Sequence, residues 1–224
     1  MGEAGVFDRT PAKPTILPTS MITSKTDIAN LALAAIGSRR IASIDTDTTE
    51  EANQCRLHLE AEANGLLRRH HWNFAITRAT LQRLADDPPS EWESAWQLPA
   101  DCVRFIRVTG EHADRPVRDF AIEGRTLLLD GAGPVGIVYV SNAKPVSEWD
   151  SLFVDAMKWL LAAAIAHPLT QSPSIANDCM QKFKQLALPE AQLADAREVL
   201  SGENFGTRQM VRQSGLVACR YRAG

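Results

Sequence analysis

Nothing in this chain announces a reaction. Its four cysteines, Cys55, Cys102, Cys179 and Cys219, are scattered over 224 residues. They include no C-x-x-C pair, so neither a zinc site nor a thioredoxin-like motif is supported. Reduced thiols of an intracellular protein are the expected state. There is no phosphate-binding glycine loop. Asp130-Gly131-Ala132-Gly133-Pro134-Val135-Gly136 has the glycines, but it leads into a strand, and proline blocks a following helix. There is no G-x-S-x-G elbow and no local serine, histidine and aspartate arrangement that would support a triad. Charge of one sign is missing too. The 24 basic and 27 acidic residues leave a net charge of −3, which gives no whole-molecule attraction for nucleic acid or anionic membranes. The longest apolar run, 159–166, is too short to span a bilayer. The start of the chain lacks the continuous apolar core of a signal peptide. The expectation is a soluble protein without cofactor or metal.

Aromatics are scarce, at 6% of residues, and unevenly placed. Three of the five tryptophans fall in the stretch 66–108, where a helical pattern gives way to a strand pattern. Before it, residues 1–23 hold several prolines and no periodicity, which predicts a disordered leader or an extension upstream of a start at Met21. Thr26-Asp27 reads as the cap of a short helix carrying Ile28, Leu31, Ala32, Ala35 and Ile36, with Gly37 as its stop. Asp47-x-x-Glu50 and Thr48-x-x-Glu51 both fit a capping box. Ala52, Cys55, Leu59, Ala63, Leu66 and Leu67 then mark one face of a helix of about six turns.

From Trp72 the period changes. Phe74 and Ile76 alternate with polar or small neighbours, and strands are expected at 103–108, 117–122, 125–129 and 136–140. Glu123-Gly124 is a tight hairpin signal. Four or five short strands make a small antiparallel module. Helices return after Asp150. The segment 151–166 is apolar on nearly every side and should be central, with Pro168 closing it. A last helix from Ser174 should kink or restart at Pro189. The predicted fold is α+β and mainly helical: an antiparallel helix bundle (24–72 and 148–203) with an inserted small antiparallel β-module (73–147), a leader (1–23) and a C-terminal tail (204–224).

Candidate chemistry is thin. His70-His71 are adjacent and point in different directions, so they make a helix terminus rather than a chelate. Glu91, Glu93 and Asp101 lie beside Trp92 and Trp96 and are the one carboxylate set with a glycosidase flavour. The aromatic and turn residues Trp72, Phe74, Trp92, Trp96, Leu98 and Pro99 read better as anchors of the β-module on the bundle. Glu203 is the last acid, while Arg208, Arg212, Arg220 and Arg222 follow it. These arginines suit pairing with an acidic partner surface, so the tail is expected to order on assembly.

Leu66-Leu67-Arg68-x-x-x-Trp72-Asn73-Phe74-Ala75, followed by Trp92-x-x-Ala95-Trp96-Gln97-Leu98-Pro99-Ala100-Asp101-Cys102-Val103-Arg104, resembles the tail tubular protein A family. These are head-to-tail adaptors, or connectors, of tailed bacteriophages and prophages. Phe120-Ala121-Ile122-Glu123-Gly124-Arg125-Thr126-Leu127-Leu128 is similar to that family's hairpin, and the helix from Phe153 to Thr170 to its central helix. The resemblance runs in order over about residues 24–200. It departs in a longer leader, in an unmatched final segment and at His71, where the family has proline. It implies a virion structural protein at the head-to-tail junction: a ring of twelve subunits bound to the portal and to a tail or nozzle protein, with DNA passing through the lumen without sequence recognition. Some proteins of similar position degrade cell-wall or capsule polymers. A polysaccharide or peptidoglycan hydrolase using Glu91, Glu93 or Asp101 is therefore the alternative, and a nucleic-acid-binding module using the basic tail is a weaker third.

Overall fold

The computed structural model describes residues 22, 24–86, 88, 91–109, 120–131 and 133–201. The first helix, α1 (Lys25–Ala35), is opened by Ser24. Its hydroxyl accepts from the Asp27 backbone N–H at 3.1 Å, and the Asp27 carboxylate accepts from the Ser24 N–H at 3.0 Å. That reciprocal box satisfies two otherwise orphaned donors. The cap therefore lies two residues before the one expected: Asp27 is the third residue of the first turn. The Thr26 hydroxyl instead accepts from the Ile44 N–H at 3.1 Å. In α2 (Glu50–Arg69) the cap is Thr49, which accepts from the Ala52 N–H. Neither expected box forms, because Asp47 is spent on its own loop, accepting from the N–H groups of Thr49 and Ala42. Those donors hold its carboxyl below the usual range. The apolar face of α2 matches the sequence spacing: Ala52, Cys55, Leu59, Ala63, Leu66 and Leu67 are its buried residues.

Seven strands follow among the described residues: β1 (Ile76–Thr80), β2 (Gln82–Arg83), β3 (Ser94–Gln97), β4 (Cys102–Thr109), β5 (Phe120–Glu123), β6 (Thr126–Leu129) and β7 (Gly136–Ser141). They form an antiparallel module of two sheets, in the orders β1-β7-β4 and β2-β3-β6-β5. The sequence reading missed β2 and β3. β2 has only two residues, and Ser94, Ala95 and Trp96 of β3 are all buried, so no alternation marks it. The hairpin at Glu123-Gly124 forms, with Glu123 paired to Thr126 and Gly124 at φ +58°, a backbone that side chains with a Cβ rarely adopt.

α3 (Ser151–Thr170) is capped by Asp150, whose carboxylate accepts from the Leu152 and Phe153 N–H groups. It is long and apolar enough to cross a membrane, but Phe153, Met157, Leu161, Ile165 and its other inward residues are buried against α1, α2 and the next helices. This is the position of a core helix. Pro168 does not close it. The helix runs through to Thr170 and ends in a left-handed Gln171 at φ 53°. The chain then folds back as α4 (Pro173–Lys182), passes through a π turn (Phe183–Ala187) and continues as α5 (Leu188–Ser201). The expected disturbance at Pro189 takes the form of that π turn. The proline ring needs room at the preceding turn, and the π turn, closed by the Leu188 N–H onto the Phe183 carbonyl, widens the helix one residue ahead of it.

The architecture is α+β and mainly helical, with 51% helix among the described residues and two small antiparallel sheets. Its core has two compartments. The helices share one with Val140, Val103 and Ile106 from one face of the β1-β7-β4 sheet. The opposite face of that sheet contributes Ile137, Tyr139, Phe105 and Val108 to a second, shared with Trp96, Leu127 and Leu129 of the other sheet. The order is bundle, sheet, sheet.

Candidate assembly surfaces

The junction between bundle and sheets is built from the end of α2. Arg68 donates to the Val103 carbonyl, and Arg104 donates back to the Arg68 carbonyl at 3.0 Å. Trp72 is fully buried, and its indole N–H donates to the Leu66 carbonyl at 3.0 Å. Phe153 of α3 takes the edges of Trp72, Phe74 and Trp149 at centroid distances of 5.0, 4.9 and 5.1 Å. Such pairs each add about 0.5–1.5 kcal/mol beyond area burial. A polar knot completes the junction. Asp195 of α5, only 8% exposed, accepts from the Asn73 N–H at 2.8 Å and meets His70 Nε2 at 2.9 Å. The Asn73 amide in turn donates to the Asp195 carbonyl at 2.8 Å. His71 makes no such pair; burial, then the charges of Arg104 and His70, push its pKa down.

The expected anchors divide between two interfaces. Trp72 and Phe74 join the sheets to the bundle. Trp96 and Leu98 instead lie in the compartment between the two sheets, so they do not anchor anything on the bundle. Trp92 is half-buried beside β3. The Pro99 carbonyl accepts from Arg125 and from the Cys102 N–H, shaping the turn into β4. Arg208, Arg212, Arg220 and Arg222, with the rest of the tail and the leader, lie outside the described residues.

The carboxylates have separate partners. Glu91 is exposed. Glu93 accepts from the Gly131 N–H at 3.1 Å while Asp130 accepts from the Glu93 N–H at 3.2 Å, which clasps β3 to the turn after β6. Asp101, beyond the other end of β3, accepts from the hydroxyls of Tyr139 and Ser141 on β7. Burial first, and then the Asp101 carboxylate, push the Tyr139 phenol up to about 12. Burial holds the three described thiols in their protonated, less reactive form: it pushes Cys55 up to about 11 and raises Cys102 and Cys179. Among the described residues no three or more histidine, cysteine, aspartate or glutamate side chains come together as a metal site.

Two exposed apolar stripes were not found from sequence. On α2, Leu57 is 69% exposed and is followed at four-residue spacing by exposed Ala61 and Gly65. Gly65 sits in mid-helix, and a Cβ built there would meet nothing within 4 Å. On the α4–α5 rod, Leu186 (61%) and Leu193 (52%) lie on one face with exposed Pro189 and Ala196. On α2 the apolar positions lie off the core stripe among charged neighbours; on the rod, spacing alone puts Leu186 on one face with Cys179 and Phe183, but those two are buried and Leu186 is exposed. Near α3, Trp159 carries the ammonium groups of Lys158 and Lys182, each 4.5 Å from its ring centroid. A groove of about 210 Å³ opens between the start of α1, α2 and the loop after β7. No protein-family model and no curated protein matches this chain.

Proposed function

We propose that the protein is a structural adaptor of a tailed bacteriophage, a subunit of a ring that sits below the portal, joins capsid to tail and lets DNA through its lumen. The reading starts from the resemblance carried by Trp72-Asn73-Phe74-Ala75 and the segment 92–104. The observation that supports it best is the pair of exposed apolar stripes, one at Leu57–Ala61–Gly65 and one at Leu186–Pro189–Leu193–Ala196. A ring is closed by heterologous contacts, in which one patch of a subunit meets a different patch of its neighbour. Two unlike stripes on different helices suit that geometry. Gly65 supports it further. A mid-helix glycine costs about 1 kcal/mol relative to alanine, nothing within the subunit requires it, and it would let a neighbouring backbone approach closely. The clasping roles of Glu93 and Asp101 favour structure over glycan hydrolysis.

The test uses two charge variants, Leu57→Asp and Leu193→Asp. Each folds but forms no ring with portal particles, whereas an equimolar mixture gives dimers, because each variant keeps the one patch the other lacks. If either variant alone assembles like the unaltered protein, the stripes are not the ring contacts.

A further inference from the structure

A groove lies between α1, α2 and the loop after β7. Its floor is apolar, made by Leu59, Ala63 and Leu67 of α2 with Val146 and Trp149. At about 210 Å³ it is smaller than the roughly 300–1,000 Å³ of sites for drug-sized ligands, and suits two or three side chains of a peptide. On its rim the Asn142 amide donates to the Asn64 side-chain carbonyl at 3.0 Å. This leaves Asn64 Nδ2 as a donor and Asn142 Oδ1 as an acceptor, suited to the C=O and N–H of one extended residue. Lys25, the first residue of α1, also lines the groove, so the N-terminal segment leaves the bundle at its edge. Ile22 already packs against the bundle core.

We propose that the segment 15–18 of the same chain docks in this groove, with the Leu17 side chain on the apolar floor and the adjoining backbone on the Asn64–Asn142 pair. Leu17 is eight residues before Lys25, within a reach of about 26–29 Å for extended chain. Pro14 and Pro18 bracket the aliphatic pair and preset an extended backbone, which lowers the cost of ordering it. The proposal concerns the single subunit and does not depend on the ring reading.

The experiment is hydrogen exchange on dilute monomeric protein, comparing the full chain with Ile16→Asp/Leu17→Asp and with a chain starting at Met21. A second measurement oxidises the full-length double variant Thr15→Cys/Lys144→Cys mildly and maps its disulfides, Lys144 lining the groove without serving the docking contacts. The expected result is exchange at 59–67 and 142–149 slowed about tenfold in the full chain relative to both others, and a disulfide joining positions 15 and 144 within one chain. Equal exchange in all three proteins overturns the proposal. So does a bridge that forms between chains, which would make the groove's occupant a second copy.

Discussion

Replacing Asp195 with alanine should be among the most costly single changes in the helical bundle. The carboxylate is nearly buried and serves two donors, the Asn73 N–H and the His70 ring, from the segment where α2 hands over to β1. Hydrogen bonds to a charged group contribute about 1.5–3 kcal/mol each, and orphaned buried donors add a desolvation penalty. His70 and Asn73 regain some water because both are only half-buried, so Asp195→Ala costs about 2–4 kcal/mol. A native domain has only about 5–15 kcal/mol in total. Asp195→Asn keeps an acceptor for Asn73 and loses the charge, so it costs less, about 1–2 kcal/mol. Urea unfolding followed by circular dichroism reads both. With a slope of about 2–3 kcal/mol per molar, the alanine variant unfolds about 1–2 M earlier at unchanged slope. A double-mutant cycle with His70→Ala should return a coupling of about 1 kcal/mol or more. If the alanine midpoint stays within about 0.3 M of the unaltered protein, the knot does not hold the junction and the reasoning fails.

Gly136→Ala places a Cβ 2.5 Å from Thr109 Oγ1 and 3.2 Å from its carbonyl oxygen across the β4–β7 ladder. It should cost about 1–3 kcal/mol in the same urea assay, and a neutral result would mean the strands separate there freely. Ser94→Ala removes a buried hydroxyl bonded to the Leu129 and Gly131 carbonyls and to the Trp96 indole N–H. A loss of about 1–3 kcal/mol, with a red-shifted tryptophan emission, is expected; unchanged emission contradicts the bond to Trp96. Tyr139 keeps its proton up to about pH 12 when folded, against about 10 when unfolded. The folded state therefore holds the extra proton between those values, so stability is complete below pH 10 and falls as pH rises toward 12, by about 2 kcal/mol. In Tyr221→Phe, which leaves Tyr139 as the only tyrosine, absorbance at 295 nm should titrate near 12, and a midpoint at 10 refutes the burial of the phenol beside Asp101.

The helices and most strands were legible because their core positions follow simple periods, as in α2, where the spaced apolar residues are the buried ones. Helix starts were misplaced because Asp27 and Asp47 look like caps but act as the third residue of a box and as a loop brace. β4 hid its facing. Bulges between Cys102 and Arg104 and between Phe105 and Arg107 each insert a residue. Cys102, Phe105 and Val108 thus face one compartment, Val103 and Ile106 the other, and the period is three where alternation predicts two. Of the second sheet only the β5–β6 hairpin was legible; β3 was missed because three of its four residues are buried and its pairing with β6 is long-range. The candidate carboxylates were found, but their partners Gly131, Tyr139 and Ser141 come from distant strands. The exposed stripes on α2 and α5 could be recognised only once the inward faces were known.

The most direct test of the adaptor reading is the native mass of the purified protein, measured alone and after mixing with portal particles over a range of salt. The account predicts a discrete ring of repeated subunits on the portal, abolished by Leu57→Asp or Leu193→Asp in otherwise folded protein. A chain that stays monomeric and unbound at every salt concentration would contradict it.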